Sequence, residues 1–408
     1  MLDRIFKVFR PSTGSIDIAN RTRNGPLFGL ITFRTIFNTD RNLDEAALHL
    51  RFGAAEAVIP GREAAVRQPS GPWRVQFNVN THLIENGRHA LHAELRWPDR
   101  TVTPLPSRTW RVENTGELAA AVQRDLRAFG TPVILGRTVD SRLFPYEHGT
   151  ARAWFDDEAA PDVPLSFEPA SSEAAAHRHL LRWGFCVLQE QLPLPLIEQF
   201  WTEVEAAIGS GKLAYNPGSS DRVYNAHHLR AGRKIWLFPP VTKFLRQHFR
   251  DEPCACQTLT YPNGSEQRPH QDTIHLTPYP SGFMCGVWIA LQDVLPDSGE
   301  LVVYPGSHLL PRLRAADLGL AKVDADYSSY AVFDEAVQAL LRRNGCKPAL
   351  YRPKAGEILV WHENLIHGGS SRKKRDLSRK SIVSHYFARG GIAYYDSRGE
   401  AGFLEPLS

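Results

Sequence analysis

The sequence predicts a mainly β protein in two parts, and three observations carry that reading. Early in the chain apolar and polar side chains alternate: Trp73, Val75, Phe77 and Val79 against Arg74, Gln76, Asn78 and Asn80, then Leu91, Ala93, Leu95 and Trp97 against His92, Glu94 and Arg96. Further on, GFMCGVWIALQDVLPDSGELVVYPGSH and GEILVWHENLIHGG hold short apolar runs cut by turn residues. At 408 residues the chain exceeds the usual single-domain size, and its 42% apolar composition is enough for ordinary cores.

Charge and cysteine content narrow the function classes. A formal net charge of +4 with no long basic block disfavours nucleic-acid binding. Five cysteines, Cys186, Cys254, Cys256, Cys285 and Cys346, are odd in number and scattered through apolar runs, which fits a reduced cytoplasm. Cys254 and Cys256 read as buried strand thiols, because no second pair at zinc-site spacing accompanies them. The opening MLDRIFKVFRPSTG has neither an apolar core nor a cleavage pattern, and no run approaches the length of a membrane span. A soluble, unprocessed chain is expected.

Residues 1–115 are expected to form an immunoglobulin-like β-sandwich without a disulfide. Ile31, Phe33 and Phe37, then Leu48, Leu50 and Phe52, continue the period of two, and Asn86-Gly87 supplies hairpin chemistry. His82, His89 and His92 read as solvated, with no carboxylate at ligand spacing. The plain reading of this part is a structural module; docking of a partner is its functional form.

Residues 116–169 are expected to connect the two parts, with a helix over Glu117 to Phe129 that Gly130 ends, then a strand and a Pro-, Asp- and Ser-rich loop. From 170 on, Ser171 or Ser172 caps a helix over Glu173 to Trp183, and Pro195 opens a second helix. Leu196, Phe200, Val204 and Ile208 give that helix an apolar stripe to lay on a sheet. Asn216 to Trp236 looks irregular and polar, either a lid or a solvated loop.

The chemistry is concentrated in RPHQDTIH and LIHGGS. His270 and Asp272 stand at i and i+2, a spacing that puts both side chains on one face of an extended strand, and His367 offers a third donor from a strand far along the chain. Two imidazoles and a carboxylate are the ligand set of a mononuclear non-haem iron(II) centre with open positions, which points to oxygen chemistry. His362, five residues before His367 and expected from period-two alternation to share its face, is the chief rival for the third position. His275 is expected to line the pocket. Pro296, Asp297, Ser298 and Gly299 read as the turn of a hairpin between the two apolar runs that flank them.

With those motifs in order, and with SRKSIVSHYF following His367, the chain resembles the phytanoyl-CoA dioxygenase-like branch of iron(II)/2-oxoglutarate-dependent oxygenases over roughly residues 170–396. The resemblance implies a double-stranded β-helix (a cupin-like jelly-roll) with flanking helices in a catalytic domain spanning 170–408. It makes His270, Asp272 and His367 the iron ligands and Arg379 the cation for the distal carboxylate of 2-oxoglutarate, a task that suits a planar guanidinium. Trp288 falls where the family has an aromatic beside the co-substrate, and Gln257 is a polar contact to the same molecule. His308 and His385 match the pattern as hydrogen-bonding residues of the fold. The segment SSRKKRDLS is a residue longer than in the family's namesake, which leaves Ser370 and Gly369 open as co-substrate contacts.

The implied activity is hydroxylation of a C–H bond using Fe(II), 2-oxoglutarate and O2, with release of succinate and CO2. The substrate is expected to be a small polar or glycan-related metabolite, and the basic run Arg372, Lys373, Lys374 and Arg375 is either a solvated loop or a contact to an anionic substrate. The alternative is a non-catalytic or 2-oxoglutarate-independent cupin-like protein that binds a metal or ligand; Arg379 discriminates against it.

Overall fold

The computed structural model of the chain describes residues 15–21, 25–68, 71–156, 158–215, 221–323 and 330–407. Residues 1–14, read above for targeting signals, and 216–220 of the expected lid lie outside them.

The alternating segments near the N-terminus form two antiparallel sheets. One runs Asp17–Ile18, Leu30–Phe37, Trp73–Asn80, Ile134–Leu135, with Ala65–Arg67 also on Trp73–Asn80; the other runs Ala55–Pro60, Ala47–Phe52, Gly87–Arg96, Val102–Pro104, with Arg108–Val112 also on Gly87–Arg96. Because side chains alternate across a strand, Val75 and Phe77 of the first sheet meet Leu48, Leu50 and Leu91 of the second in one buried cluster. Phe33 lies 5.5 Å from Phe77 and 5.9 Å from Phe52 between ring centroids, joining the sheets. Each such buried ring contributes roughly 1.5–3 kcal/mol.

Two expectations fail here. Asn86-Gly87 closes no hairpin: Trp73–Asn80 and Gly87–Arg96 belong to different sheets, and Asn86 instead clasps Asn114, accepting from its backbone N–H at 2.7 Å and donating to its carbonyl at 2.9 Å. His82 is fully buried, its Nε2 3.4 Å from the Gly391 carbonyl, and burial pushes its pKa down to about 4. His92 is exposed.

The outer face of the first sheet is covered as well. Leu30 joins Val122 and Leu126 of helix Glu117–Phe129, then Phe144, Tyr279 and Tyr394, in a separate buried cluster. Gly130 ends that helix in the left-handed region at φ 78°, where a Cβ is disfavoured. Asp125 of the same helix accepts from Ala151 N at 2.6 Å, Thr150 Oγ1 at 2.7 Å and Tyr279 Oη at 3.1 Å. The stretch expected to connect the two parts is therefore a packed layer between the N-terminal sheets and the C-terminal half.

In the C-terminal half, helix Glu173–Trp183 starts where Ser172 Oγ accepts from Ala175 N and stops at Gly184, φ 81°. Helix Leu194–Gly209 has Pro195 in its first turn. The expected irregular stretch holds the short strand Val223–Tyr224 and the helix Arg230–Trp236. The larger sheet is antiparallel, in the order Phe185–Val187, Ile358–His362, Met284–Ala290, Ser381–Ala388, Pro253–Tyr261, Val223–Tyr224. Its outer side chains, among them Val287, Ile289, Val360 and Ile382, pack on Phe200, Val204 and Leu245 of the helices. Its inner side chains, Trp288, Leu359, Trp361 and Val383, meet Leu301, Val303 and Tyr351 of a smaller sheet ordered Ala349–Tyr351, Leu301–Val303, His367–Gly369. Two facing sheets of this kind are a jelly-roll.

The turn at Pro296–Gly299 is real, with Asp297 at φ 68° and Gly299 at φ 94°, but it makes no hairpin. Met284–Ala290 belongs to the larger sheet and Leu301–Val303 to the smaller, so the turn hands the chain from one to the other. All five cysteines are free, and Cys254 and Cys256 are buried. Among the described residues no helix is long and apolar enough to cross a membrane.

Candidate metal centre and co-substrate cavity

His270 and His367 are backbone neighbours before they are side-chain neighbours. His270 N donates to His367 O at 2.9 Å and His367 N to His270 O at 3.1 Å, so the two rings leave adjacent antiparallel segments with centroids 4.5 Å apart. The glycines after His367 permit this: a Cβ on Gly368 would sit 2.7 Å from Gln267 O, and one on Gly369 2.7 Å from Glu266 N. Asp272 arrives differently from the expectation, opening a 3-10 turn, Asp272–Ile274, where a continued strand was predicted. Gln271 between them is still extended (φ −98°, ψ 138°), which keeps the side chains of 270 and 272 on one side.

One donor atom from each of His270, Asp272 and His367 lies within 4.8 Å of the other two. Asp272 Oδ1 is 3.6 Å from His270 Nε2 and 3.9 Å from His367 Nε2. Both imidazoles donate Nδ1–H to backbone carbonyls two residues back, His270 to Arg268 O and His367 to Leu365 O, each at 2.9 Å. That fixes the tautomer and leaves each Nε2 lone pair turned toward the carboxylate, the arrangement that metal-binding histidines use. The other Asp272 oxygen, Oδ2, accepts from Trp361 Nε1 at 2.8 Å and lies 3.4 Å from His385 Nε2.

All three groups are buried, at 7%, 6% and 5% exposure. Burial works against the Asp272 charge, but His367, His270 and His385 outweigh it and hold the carboxyl well below its usual range. Burial likewise drives His367 down to about 4, so its ring is neutral at pH 7. An ionised carboxylate and two imidazoles whose Nδ1–H groups are engaged elsewhere are the donors that a single divalent ion requires, and the set fits one; His270 Nε2 lies 3.2 Å from Gln267 Nε2.

His362 is removed from this cluster. Alternation does not put the two histidines on one face, because His362 closes Ile358–His362 of the larger sheet and His367 opens His367–Gly369 of the smaller; the His362 ring lies against Phe155 at 5.7 Å and His308 at 5.5 Å, while its Nδ1 accepts from Asn364 N at 3.1 Å. Trp361 takes the inward position. His308 serves the fold, its Nε2 3.2 Å from Leu181 O. His275 lines the cavity, stacked on Tyr330 at 5.0 Å.

The triad opens on a cavity of about 590 Å³ that Arg379, Trp288 and Gln257 also line. Arg379 is 2% exposed, donating Nε–H to Gly299 O at 2.8 Å and also bonding Ser381 Oγ. Its guanidinium carbon lies 5.5 Å from the Trp288 ring and 5.8 Å from Tyr261. Among the described residues no carboxylate pairs with it, and burial depresses its pKa to about 10, still cationic at pH 7. Gln257 Nε2 lies 3.5 Å from His385 Nδ1.

The basic run does not reach this space. Arg372 donates to Asn263 Oδ1, Arg375 O and Leu377 O, Arg375 pairs with Glu266 at 2.6 Å and Lys373 faces Asp297 at 3.6 Å. Among the described residues none of positions 372–375 lines the cavity, so the contact to an anionic substrate is withdrawn; these cations tie down their own loop. Ser370 is occupied too, donating to Glu300 Oε2 at 2.7 Å. Sequence reasoning missed Trp361 and Tyr261, gave His385 no place beside Asp272, and did not foresee that Asp17 and Arg34 line the cavity from the N-terminal sheets. Only Trp361 had a usable signal, alternation within ILVWH.

A jelly-roll whose facing sheets bring two imidazoles, a carboxylate and a buried guanidinium to one cavity defines the class of mononuclear non-haem metal proteins. Residues 181–381 match the family model described as Phytanoyl-CoA dioxygenase (PhyH), and over that span the chain belongs to the phytanoyl-CoA dioxygenase-like family. Phytanoyl-CoA dioxygenase domain-containing protein 1 of Mus musculus is 27% identical over 173 residues, 40% of this chain and 54% of that protein. Peroxisomal phytanoyl-CoA dioxygenase of Bos taurus is 31% identical over 131 residues, 32% of this chain and 36% of that protein. The matches thus span about half or less of these relatives' length. Among solved structures, the non-heme alpha ketoglutarate dependent carbocyclase SnoK from nogalamycin biosynthesis aligns at 19% identity and TM-score 0.44, over 59% of this chain and 91% of SnoK. EctD from S. alaskensis with bound Fe aligns at 18% identity and TM-score 0.44, over 62% and 94%.

Proposed function

We propose that the chain is an iron(II)- and 2-oxoglutarate-dependent dioxygenase that hydroxylates a C–H bond of a small polar or glycan-related metabolite. The reading is supported by one observation above the rest: the His270, Asp272 and His367 donors and the buried Arg379 line the same cavity. His270, Asp272 and His367 would hold the metal. Iron(II) there would supply, with O2 and 2-oxoglutarate, oxidative decarboxylation to succinate and CO2 coupled to oxidation of the substrate.

The protein's own residues position and insulate. The Nδ1–H bonds to Arg268 O and Leu365 O lock both imidazoles, and Trp361 restrains the carboxylate. Arg379 takes the distal carboxylate of 2-oxoglutarate, Trp288 packs beside it and Gln257 offers a polar contact. Leu259, Leu301 and Val383 keep water from the inner wall. In domain terms we read 1–115 as an immunoglobulin-like sandwich, 116–169 as the layer joining it and 170–408 as the catalytic unit. The free thiols fit a reducing compartment such as the cytoplasm.

The test is succinate release by iron-loaded protein given 2-oxoglutarate and O2. The wild type releases succinate and Asp272→Ala does not; no release from the wild type, or equal release from both, refutes the reading.

A further inference from the structure

The family-matched span, residues 181–381, does not form the cavity by itself. Ile18 and Ala19 line it from the N-terminal sheet, and Glu400 and Phe403 line it from beyond residue 381. A buried side chain ties these two edges together. Asn20 is 5% exposed; its Nδ2 donates to Leu30 O at 2.8 Å and to Gly402 O at 3.0 Å, and its Oδ1 accepts from Thr32 N at 3.0 Å. Both amide hydrogens and the amide oxygen are thus engaged, and the orientation of the group is fixed. From Gly402 the contacts lead to the metal centre. Gly402 N donates to Ala393 O at 2.8 Å, in a three-stranded sheet ordered Thr277–Tyr279, Ile392–Tyr395, Glu400–Ala401. Thr277–Tyr279 closely follows the Asp272–Ile274 turn, and Ser397 N donates to Ile274 O at 2.8 Å. Apolar contacts run alongside: Leu30 is buried with Ile392, Tyr394 and Ala401, and Phe28 with Leu276, a cavity residue.

We propose that the N-terminal sheet is a wall of the catalytic cavity, and that Asn20 is the positioning residue that clasps it against the three-stranded sheet behind the Asp272 turn. The wall steadies that turn and keeps bulk water from the metal. A docking module on a flexible tether would have no such buried bonds into the catalytic half. The inference rests on the iron-binding part of the dioxygenase reading and adds a role for the N-terminal layer. Without the Nδ2 donor, the Leu30 and Gly402 carbonyls lose a buried partner, a loss that favours local opening at this seam over unfolding of the whole chain. Asn20→Asp is the sharper change, since it keeps the shape and the Oδ1 acceptor but turns a second acceptor toward the two carbonyls.

The test holds the iron-loaded full chain anaerobically with 2-oxoglutarate and measures the rate at which the chelator ferrozine strips the iron. Asn20→Asp and Asn20→Ala should lose iron roughly tenfold faster than the wild type, the lower end of what removing a group that orients a metal ligand costs. Hydrogen exchange in peptides spanning 392–404 should quicken in the same variants. Phe77→Leu is the control: Phe77 lies in the cluster between the two N-terminal sheets and does not line the cavity. It should lower the thermal midpoint and leave iron loss at the wild-type rate. The wild type supplies a check that needs no variant, since peptides spanning 15–21 should exchange as slowly as those spanning 400–404. Unchanged iron loss in the Asn20 variants, equal acceleration in Phe77→Leu, or fast exchange at 15–21 in the wild type overturns the proposal. A wild type that binds no iron sinks the dioxygenase reading instead, which keeps the two failures apart.

Discussion

Trp361 Nε1 donates to Asp272 Oδ2 at 2.8 Å, across 89 residues of sequence, and both groups are buried. The indole is the neutral donor that keeps one carboxylate oxygen occupied, so that Oδ1 faces the two Nε2 atoms. Trp361→Phe keeps most of the packing and removes the donor. Groups that orient a ligand in this way are typically worth about 10–100-fold in metal affinity. Calorimetric titration with Fe(II) or Mn(II) should show a loss in that range, and unaltered affinity would leave Trp361 with a packing role only.

Arg379 gives the second prediction. A charge-assisted hydrogen bond is worth about 1.5–3 kcal/mol, so Arg379→Ala should raise the 2-oxoglutarate KM roughly 10–150-fold, and Arg379→Lys should recover part of it. Steady-state kinetics with varied 2-oxoglutarate decides; a KM within twofold of wild type would reassign the co-substrate carboxylate.

His362 and His367 make opposite predictions. His367→Ala should abolish stoichiometric metal binding. His362→Ala should bind one metal per chain yet unfold at lower denaturant, losing on the order of 2–4 kcal/mol for a buried ring packed on Phe155 and His308. Metal loss in the His362 variant at unchanged stability would reverse the assignment.

Acid should destabilise the fold through its buried imidazoles. Burial pushes His248 and His227 down to about 3 and His82 and His308 down to about 4, from 6.5 in the unfolded chain. Each therefore binds a proton more readily when unfolded. Their contribution is whole above pH 6.5 and lost as pH falls from there toward the folded values, at up to about 1.4 kcal/mol per pH unit per group. Glu363 opposes this: burial outweighs its pairing with Arg312 and lifts it to about 7, so its contribution is present in acid and lost as pH rises through 7. Asp251, raised by burial, acts in the same sense as Glu363, but the lowered imidazoles outnumber the raised carboxyls and set the sign. Urea midpoints should fall between pH 6.5 and 4.5, less steeply in His248→Phe, whose imidazole stacks on Phe155 with neither nitrogen hydrogen-bonded in the described structure. Identical profiles would remove His248 from the account.

What the sequence disclosed, and what it hid, follows from the range of the interactions. Alternation at Trp73–Asn80 and capping at Ser172 and Gly184 are local, and they match the observed elements. Turn chemistry is also local, but it reports only that the chain bends. At Asn86-Gly87 and at Pro296–Gly299 the next strand joined a different sheet, because its apolar face was needed across the core. The three donors were readable as residue types, and the close pair as a spacing. Trp361 and His385 meet Asp272 only through the register of the larger sheet, and Arg34 reaches the cavity only through packing of the N-terminal layer.

The central claim is that His270, Asp272 and His367 hold one iron with positions open to 2-oxoglutarate. Anaerobic titration of the protein with Fe(II) and then 2-oxoglutarate, followed by visible absorption, tests it most directly. A charge-transfer band should grow to saturation at one iron per chain and be missing in Asp272→Ala; a colourless wild type, or the same band in that variant, would contradict it.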